Sequence, residues 1–358
     1  SRSARAGVND CFPLTPAFLL RLYSTMGQVE SAIQDLESDL PPQLETFDLK
    51  GVAEKIKAGD CKRILVMTGA GVSVSAGIPD FRSPQSGLFA KIRARYPDDE
   101  MLSRRPECVF DLAYFQDVNE APFYEVSQEI MSEGYKPTPT HHFIKLLDDK
   151  GLLVRCYTQN IDSLETAAGL SSEKVIAAHG NFDGARCLKA GKEVPIAEFK
   201  EAVRKGDAEG GWRDLNKKYG DLVKPDVVFY GEALPRRFFS SLGKDTAEAD
   251  LLIVMGTALK VGPFNRLVGQ VPFNCVRLLV NRDPAGLARP DNTDDDTMSL
   301  PQGFVFNDDK NVRDVFHQGD CDAGVWELAR LLDWVGDLER LTGQKAPAKQ
   351  SAEKPVME

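Results

Sequence analysis

The sequence predicts an α/β fold, a doubly wound parallel sheet with a small inserted module. Three observations carry that expectation. Short uninterrupted apolar runs recur along the chain, helical stretches separate most of them, and the runs end in strings of glycine and polar residues. Continuous apolar strands are the mark of a sheet buried on both faces, and alternation with helices is the mark of parallel connections. The ordered body is expected to start near Phe47, where Leu49, Val52, Ala53 and Ile56 are spaced for a short amphipathic helix. Arg63 to Met67 is the first predicted strand. Leu153 to Tyr157, Val175 to Ala178, Val227 to Tyr230, Leu251 to Met255 and Val276 to Val280 are the others. Asn181 to Val223 breaks the pattern, being polar and Gly-bearing without a strand of that kind, and reads as the inserted module. Within it Ile196, Phe199 and Val203 share one helical face.

Composition limits what such a fold does. The chain has 358 residues, 42% of them hydrophobic, and 44 Lys+Arg against 54 Asp+Glu for a net charge of −10. A protein that tracks nucleic-acid phosphates normally presents a basic face, so this balance suits Lys-rich peptides better. No run reaches the roughly 18 apolar residues of a membrane span. The seven cysteines are scattered, odd in number and never in a C-x-x-C pair, a pattern of reduced thiols and not of a disulfide framework.

The two ends read differently from the body. Residues 1–46 form an expected N-terminal extension, in which Met26 to Ser31 matches the M-G-x-x-x-[ST] acylation pattern; that match matters only if Met26 is the true start. Residues 342–358 are rich in Lys, Ala, Pro, Gln and Ser and are expected to be disordered.

Chemistry concentrates at the predicted strand ends. Ile64 to Met67 runs into Thr68-Gly-Ala-Gly-Val-Ser-Val-Ser-Ala-Gly77. Glycines there let backbone N–H groups approach a pyrophosphate, and a helix N-terminus adds partial positive charge. The spacing departs from G-x-G-x-x-G, so a tight strand-to-helix turn explains the string equally well when it is taken alone. Asp80, Phe81 and Arg82 follow on a loop, which an ordinary connection does not require. After Leu153 to Tyr157 come Gln159, Asn160, Ile161 and Asp162, at a position where open α/β sheets bind ligands. Helix capping explains Asn160 or Asp162 singly but leaves Gln159 unexplained. His179 ends a strand and precedes Gly180; an imidazole titrates near neutrality and is the natural general base of the set. Lys224 to Glu232 reads as an extended edge able to take an added peptide strand. Met255 to Leu259 and Leu279 to Asp283 end two further strands in polar residues.

Taken together and in this order, GAGVSVSAGIPDFRS, TQNID, AHG, KPDVVFYGE and GTAL closely resemble the sirtuin family of NAD-dependent protein deacylases, over roughly Gly51 to Leu332. LAYF, KGLLVRCYTQNIDSLE and the closing GDCD are most similar to the cytoplasmic class I branch, whose members deacetylate tubulin and histones. The resemblance implies a Rossmann-like portion at 51–180 and 224–335 within a catalytic domain at 47–341, with the small module at 181–223. It implies NAD as cofactor, held by Ala70, Gly71, Val72, Ser73, Val74, Asp80, Phe81, Arg82, Gln159, Asn160, Ile161, Asp162, Gly256, Thr257, Asn281, Arg282, Asp283 and Cys321. His179 and Asn160 are the implied catalytic residues, and Val228, Phe229, Gly231 and Glu232 the implied grip on the peptide. The implied reaction transfers the acetyl or longer acyl group of an acyl-lysine to ADP-ribose, releasing nicotinamide and free lysine. Histone- or tubulin-type protein partners and a cytoplasmic location with access to the nucleus come with it. A mono-ADP-ribosyltransferase or NADase on the same fold, or a catalytically weak NAD-binding scaffold, are the alternatives.

Two departures from the family pattern stand out. Ala258 replaces a common Ser. More consequentially, family members hold a structural zinc with two cysteine pairs in the module, whereas Cys187 is the only cysteine here; Asn216 and Tyr219 fall where the second pair would be. Tetrahedral structural zinc needs four Cys or His ligands, so the sequence predicts no metal.

Overall fold

The computed structural model describes residues 41–78, 81, 87–131, 134–288, 302–306 and 309–348. The Met26 pattern, Asp80, Arg82 and the last ten residues lie outside them, as does the N-terminal extension up to residue 40. Residues 42–358 belong to one compact unit.

The first helix, α1 (Leu49–Ala58), starts where Asp48 accepts the Gly51 N–H and stops at the left-handed Gly59. It leads into β1 (Ile64–Thr68). The main sheet continues with β2 (Leu153–Thr158) and β3 (Val175–Ala177). A smaller set follows in β4 (Ala185–Cys187), β5 (Glu193–Val194) and β6 (Val223–Pro225), before the main sheet resumes in β7 (Leu251–Met255), β8 (Val276–Asn281) and β9 (Asp314–Gln318). All six main strands are parallel, in the order β3-β2-β1-β7-β8-β9. Counted within the sheet this is the order 3-2-1-4-5-6, which reverses between β1 and β7.

Alternate residues of β1, β7 and β8 feed two cores. Ile64, Val66, Ile253 and Met255 pack with α1, the helix Pro139–Asp149 and the helix Cys321–Leu331. Leu65, Met67, Leu252 and Val254 pack on the opposite face with Phe238, Phe264 and Leu267. Burial on both faces is why these strands read as unbroken apolar runs.

A third core is separate. It joins residues 88–126 to the inserted module through Phe115, Phe123, Tyr124, Phe199, Val203, Trp212 and Phe229. The helix Ile196–Lys205 turns Phe199, Ala202 and Val203 into this core.

Three expectations are corrected. Val227 to Tyr230 is extended but joins neither sheet: the Val228 N–H donates to the His179 carbonyl at 2.7 Å and the Tyr230 N–H to the Phe110 carbonyl at 2.8 Å. The module does contain strands, since β4 pairs antiparallel with both β5 and β6. The edge strand β9, half polar in sequence, is not among the predicted strands. Among the described residues no helix is long and apolar enough to cross a membrane.

Candidate active site

The crevice expected at the reversal of strand order is occupied by backbone. The β1 turn and the β7 turn meet there, with the Gly71 N–H donating to the Gly256 carbonyl at 2.8 Å. A Cβ on Gly71 would stand 2.6 Å from the Gly256 Cα, and one on Gly69 would stand 2.6 Å from the Thr257 Cβ. The glycines are therefore required by the approach of two main chains, which leaves the loop's outer face open. Beside this contact runs a cleft of about 1490 Å³.

Most of the predicted residues converge on the cleft. Ala70, Gly71, Val74 and Phe81 line one side, Gln159, Asn160, Ile161 and His179 the floor, and Val228, Phe229, Gly231 and Glu232 a further wall. Gly256, Thr257, Asn281, Arg282, Asp283 and Cys321 complete it. Val72, Ser73 and Asp162 do not line it: Val72 and Ser73 are buried behind the loop, and Asp162 accepts the Ser73 hydroxyl at 2.7 Å. Phe81 packs edge-on to Phe110 at 5.8 Å, which sets an aromatic ring over the site.

The floor is held by a chain of side-chain bonds. His179 Nδ1 lies 3.0 Å from the Gln159 carbonyl. A carbonyl only accepts, so this network assigns the proton to Nδ1 and the lone pair to Nε2. Burial holds the ring's pKa below its ordinary 6.5, partly offset by that carbonyl, so the imidazole is neutral at neutral pH. Gly180 is left-handed, and a Cβ there would meet the Asp226 carbonyl at 1.8 Å, so only glycine lets the segment after His179 pass so close to 226–227. The Asn160 amide donates to the Gly69 carbonyl at 3.1 Å and to Ser73 Oγ at 3.2 Å, and Gln159 Oε1 accepts from the Thr257 hydroxyl at 2.6 Å. These bonds tie the ends of β1, β2 and β7 into one surface.

The wall at 228–232 is more tightly bonded than its sequence suggests. The Phe229 N–H donates to Glu232 Oε2 at 2.7 Å, and the same oxygen lies 3.0 Å from Lys224 Nζ. Lys224 is buried under this wall, its ammonium 4.5 Å from the Phe229 ring centre. Burial lowers its pKa, and Glu232 opposes that shift.

Sequence reasoning does not reach several groups. Phe89, Phe110 and Thr138 line the cleft, as do Asp322 and Trp326 of the helix Cys321–Leu331. Gln344, Lys345 and Pro347, in the stretch expected to be a disordered tail, also line it. Asp322 accepts from Thr140 and Ser75 hydroxyls at 2.6 Å each, fastening the turn after β1 to two helices. An Asp just past a helix start is the available signal. Lys91 and Arg95 pair with Glu129 and Glu125 on the helix surface, outside the cleft.

The donor set for a structural zinc is missing from the module. Cys187 is the only Cys or His in residues 181–223, and its buried thiol has a raised pKa, the reverse of a ligand thiolate. Asn216 Oδ1 instead accepts the Val223 N–H at 2.9 Å and lies 3.1 Å from the Tyr124 hydroxyl, whose proton goes to the Val223 carbonyl at 2.6 Å, while Tyr219 donates to Glu198 at 3.0 Å. Trp212 stacks on Tyr124 with ring centres 4.5 Å apart and planes 11° from parallel. The residues present do not fit a tetrahedral metal.

Comparison with known proteins agrees with this geometry. The Sir2 family model matches residues 69–263. NAD-dependent protein deacetylase sirtuin-2 of Danio rerio is 43% identical over 305 residues, 83% of this chain and 75% of that protein. NAD-dependent protein deacetylase hst2 of Schizosaccharomyces pombe is 44% identical over 294 residues, covering 82% and 79%. NAD-dependent protein deacetylase sirtuin-3 of Mus musculus is 38% identical over 299 residues, covering 82% and 78%. Strand order, glycine contact, floor and sequence converge, and the chain belongs to the Sir2 family.

Proposed function

We propose that the cleft binds NAD against the Gly71–Gly256 contact and an acyl-lysine peptide along 228–232, with His179 as general base. The enzyme is an NAD-dependent protein deacetylase. The single observation that carries the site reading is the neutral His179 ring, its Nδ1 fixed by the Gln159 carbonyl on the floor of the cleft.

When bound, NAD supplies a ribose carbon that loses nicotinamide and accepts the acyl oxygen. The chain's own residues supply binding, orientation and proton transfer. The outer face of the turn at Ala70 and Gly71 lines the cleft and would face the phosphates, with the Gly71 N–H already given to the Gly256 carbonyl. Asn160, anchored by two hydrogen bonds, and Gln159, anchored by Thr257, would orient the ribose, with Ile161 toward the nicotinamide carboxamide, while Asp162, bonded to Ser73 behind the loop, would hold the segment in place. His179 Nε2 takes the proton of a ribose hydroxyl, which a neutral imidazole does without first losing one of its own. Phe81 excludes water from above. Arg282, Asp283, Asn281 and Cys321 are assigned to the adenosine end, and Asp80 and Arg82 to the loop that follows the phosphates.

The preferred substrates are histone- or tubulin-type acyl-lysine segments, supported by the net charge of −10 and by a cleft large enough for both ligands. The assigned location is the cytoplasm with access to the nucleus. We assign no zinc to the module. Mass spectrometry of the products from NAD and an acetyl-lysine peptide tests the reaction: O-acetyl-ADP-ribose and free lysine are expected, whereas ADP-ribosylated peptide or free ADP-ribose alone would establish a transferase or an NADase.

A further inference from the structure

Lys224 is the middle residue of β6, pairs in register with Arg186 of β4 and is only 6% exposed. Burying an ammonium is costly, and an unbranched apolar side chain such as Met would fill the same space without that cost. The use of the residue therefore lies in its charge. Its Nζ lies 3.2 Å from the Pro225 carbonyl, donates to the Val227 carbonyl and pairs with Glu232 Oε2 at 3.0 Å, while the Phe229 ring closes another side at 4.5 Å. Oxygens at three positions between 225 and 232 thus converge on one ammonium.

The carboxylate it meets is set by the surroundings. Asp226, nearer in sequence, accepts from Arg186 Nε at 2.6 Å. Glu232 instead closes a turn: its Oε2 accepts the Phe229 N–H at 2.7 Å and its own N–H donates to the Phe229 carbonyl at 3.0 Å, with Gly231 left-handed between them at a φ of 95°. The first of these bonds exists only while the carboxylate points inward. The Glu232 side chain is 26% exposed, so without a buried cation to hold it the carboxylate can turn out into water and release the Phe229 N–H. On the opposite edge the Val228 and Tyr230 N–H groups are given to the His179 and Phe110 carbonyls. The wall is therefore held at both edges, and Lys224 governs the edge at Phe229.

We propose that Lys224 is a positioning residue for the acyl-lysine peptide: by holding Glu232 inward and the Pro225 and Val227 carbonyls in place, its ammonium sets the shape of the 228–232 wall along which the peptide lies. This rests on the placement of the peptide given above and deepens it. Lys224 does not line the cleft and acts through Glu232, which does.

Steady-state kinetics on the full chain test it, with an acetyl-lysine peptide carrying several flanking residues and with acetyl-lysine blocked at both ends. Lys224→Met is expected to raise the KM of the long peptide about tenfold, as loss of a charge-assisted hydrogen bond does, with kcat and the NAD KM within about twofold of the parent. The blocked amino acid has no flanking chain to lie on the wall, and its kcat/KM should stay within about threefold. Glu232→Gln should raise the long-peptide KM to a similar extent, and the double variant should be no worse than the larger single one, because the two side chains work as a unit. A parent-like KM in Lys224→Met overturns the inference. So does a double variant whose loss is the product of the two single losses, since Glu232 then acts on the peptide by itself. An equal loss with the blocked amino acid marks a general loosening and overturns it as well. Should Lys224→Met not fold, Lys224→Gln, which keeps a donor, is read alone and with Glu232→Gln against the same three outcomes. Hydrogen exchange of 226–232 with and without the long peptide separates two failures. If the peptide gives no protection in the parent protein, its placement along the wall fails and the inference with it. Protection in the parent, together with parent-like kinetics in Lys224→Met, leaves that placement standing and removes only the role of Lys224.

Discussion

The sheet half of the molecule and the inserted module solve the problem of order by different means. Around the crevice, order comes from main chain against main chain: glycines at 69, 71 and 256 bring two turns into contact, and side-chain bonds at Gln159, Asn160 and Thr257 fasten the floor to them. In the module the strands have only two or three residues, too few to stand alone, and order comes from side chains. There Trp212 stacks on Tyr124, with Phe199 against the same ring and Asn216 bridging to Val223. A backbone contact tolerates no variation at its glycines; an aromatic stack can be assembled from whatever bulk the segment provides.

Breaking each half should give distinct signatures. The largest effect is expected for His179→Ala: turnover should fall about 10²–10⁴-fold while NAD still binds, measured by steady-state kinetics and calorimetry. Next is Trp212→Ala, which removes the stack and should cost about 3–5 kcal/mol in urea unfolding. If instead it cost a few tenths, the stack would not be what orders the module. The pH profile sharpens the contrast from the sheet side. Because burial depresses the His179 pKa, the base is competent at neutral pH, and kcat should fall only as pH drops through a value below the ordinary 6.5. An acid limb centred above 6.5 would contradict the buried, neutral ring. Tyr124→Phe keeps the stack and loses the hydroxyl that donates to the Val223 carbonyl at 2.6 Å, for an expected loss of about 1 kcal/mol. Smallest of all, prolonged chelation should change neither melting temperature nor activity, and metal analysis should find far less than about one zinc per chain, the stoichiometry of a structural site. A full equivalent of zinc would refute the contrast.

Legibility in the sequence follows the same division. β1, β2, β7 and β8 are readable because strands buried on both faces leave unbroken apolar runs. β9 is not, because Phe316, His317 and Gln318 are partly or fully exposed at the sheet edge and dilute its pattern. Val227 to Tyr230 has the composition of a strand, yet its N–H groups are taken by His179, Phe110 and Glu232, a long-range arrangement that no local periodicity encodes. In the site, glycine strings and strand-end polar residues point to the cleft wall, whereas Phe110 and Trp326 lie on helices where burial makes them look like ordinary core positions. The inward turn of Glu232 toward Lys224 is likewise invisible, since it depends on where a buried ammonium sits.

The contact between Gly71 and Gly256 bears on how an inactive control should be made. Any side chain added at either position has to push apart a pair of turns that share a hydrogen bond, so such a variant would lose its architecture along with its cofactor and report on neither separately. The His179 ring is hydrogen-bonded through Nδ1 to a neighbouring carbonyl, and a substitution there removes the base without prising the sheet apart. A silent enzyme that still folds and still occupies its partners is therefore to be sought at the imidazole and not among the glycines.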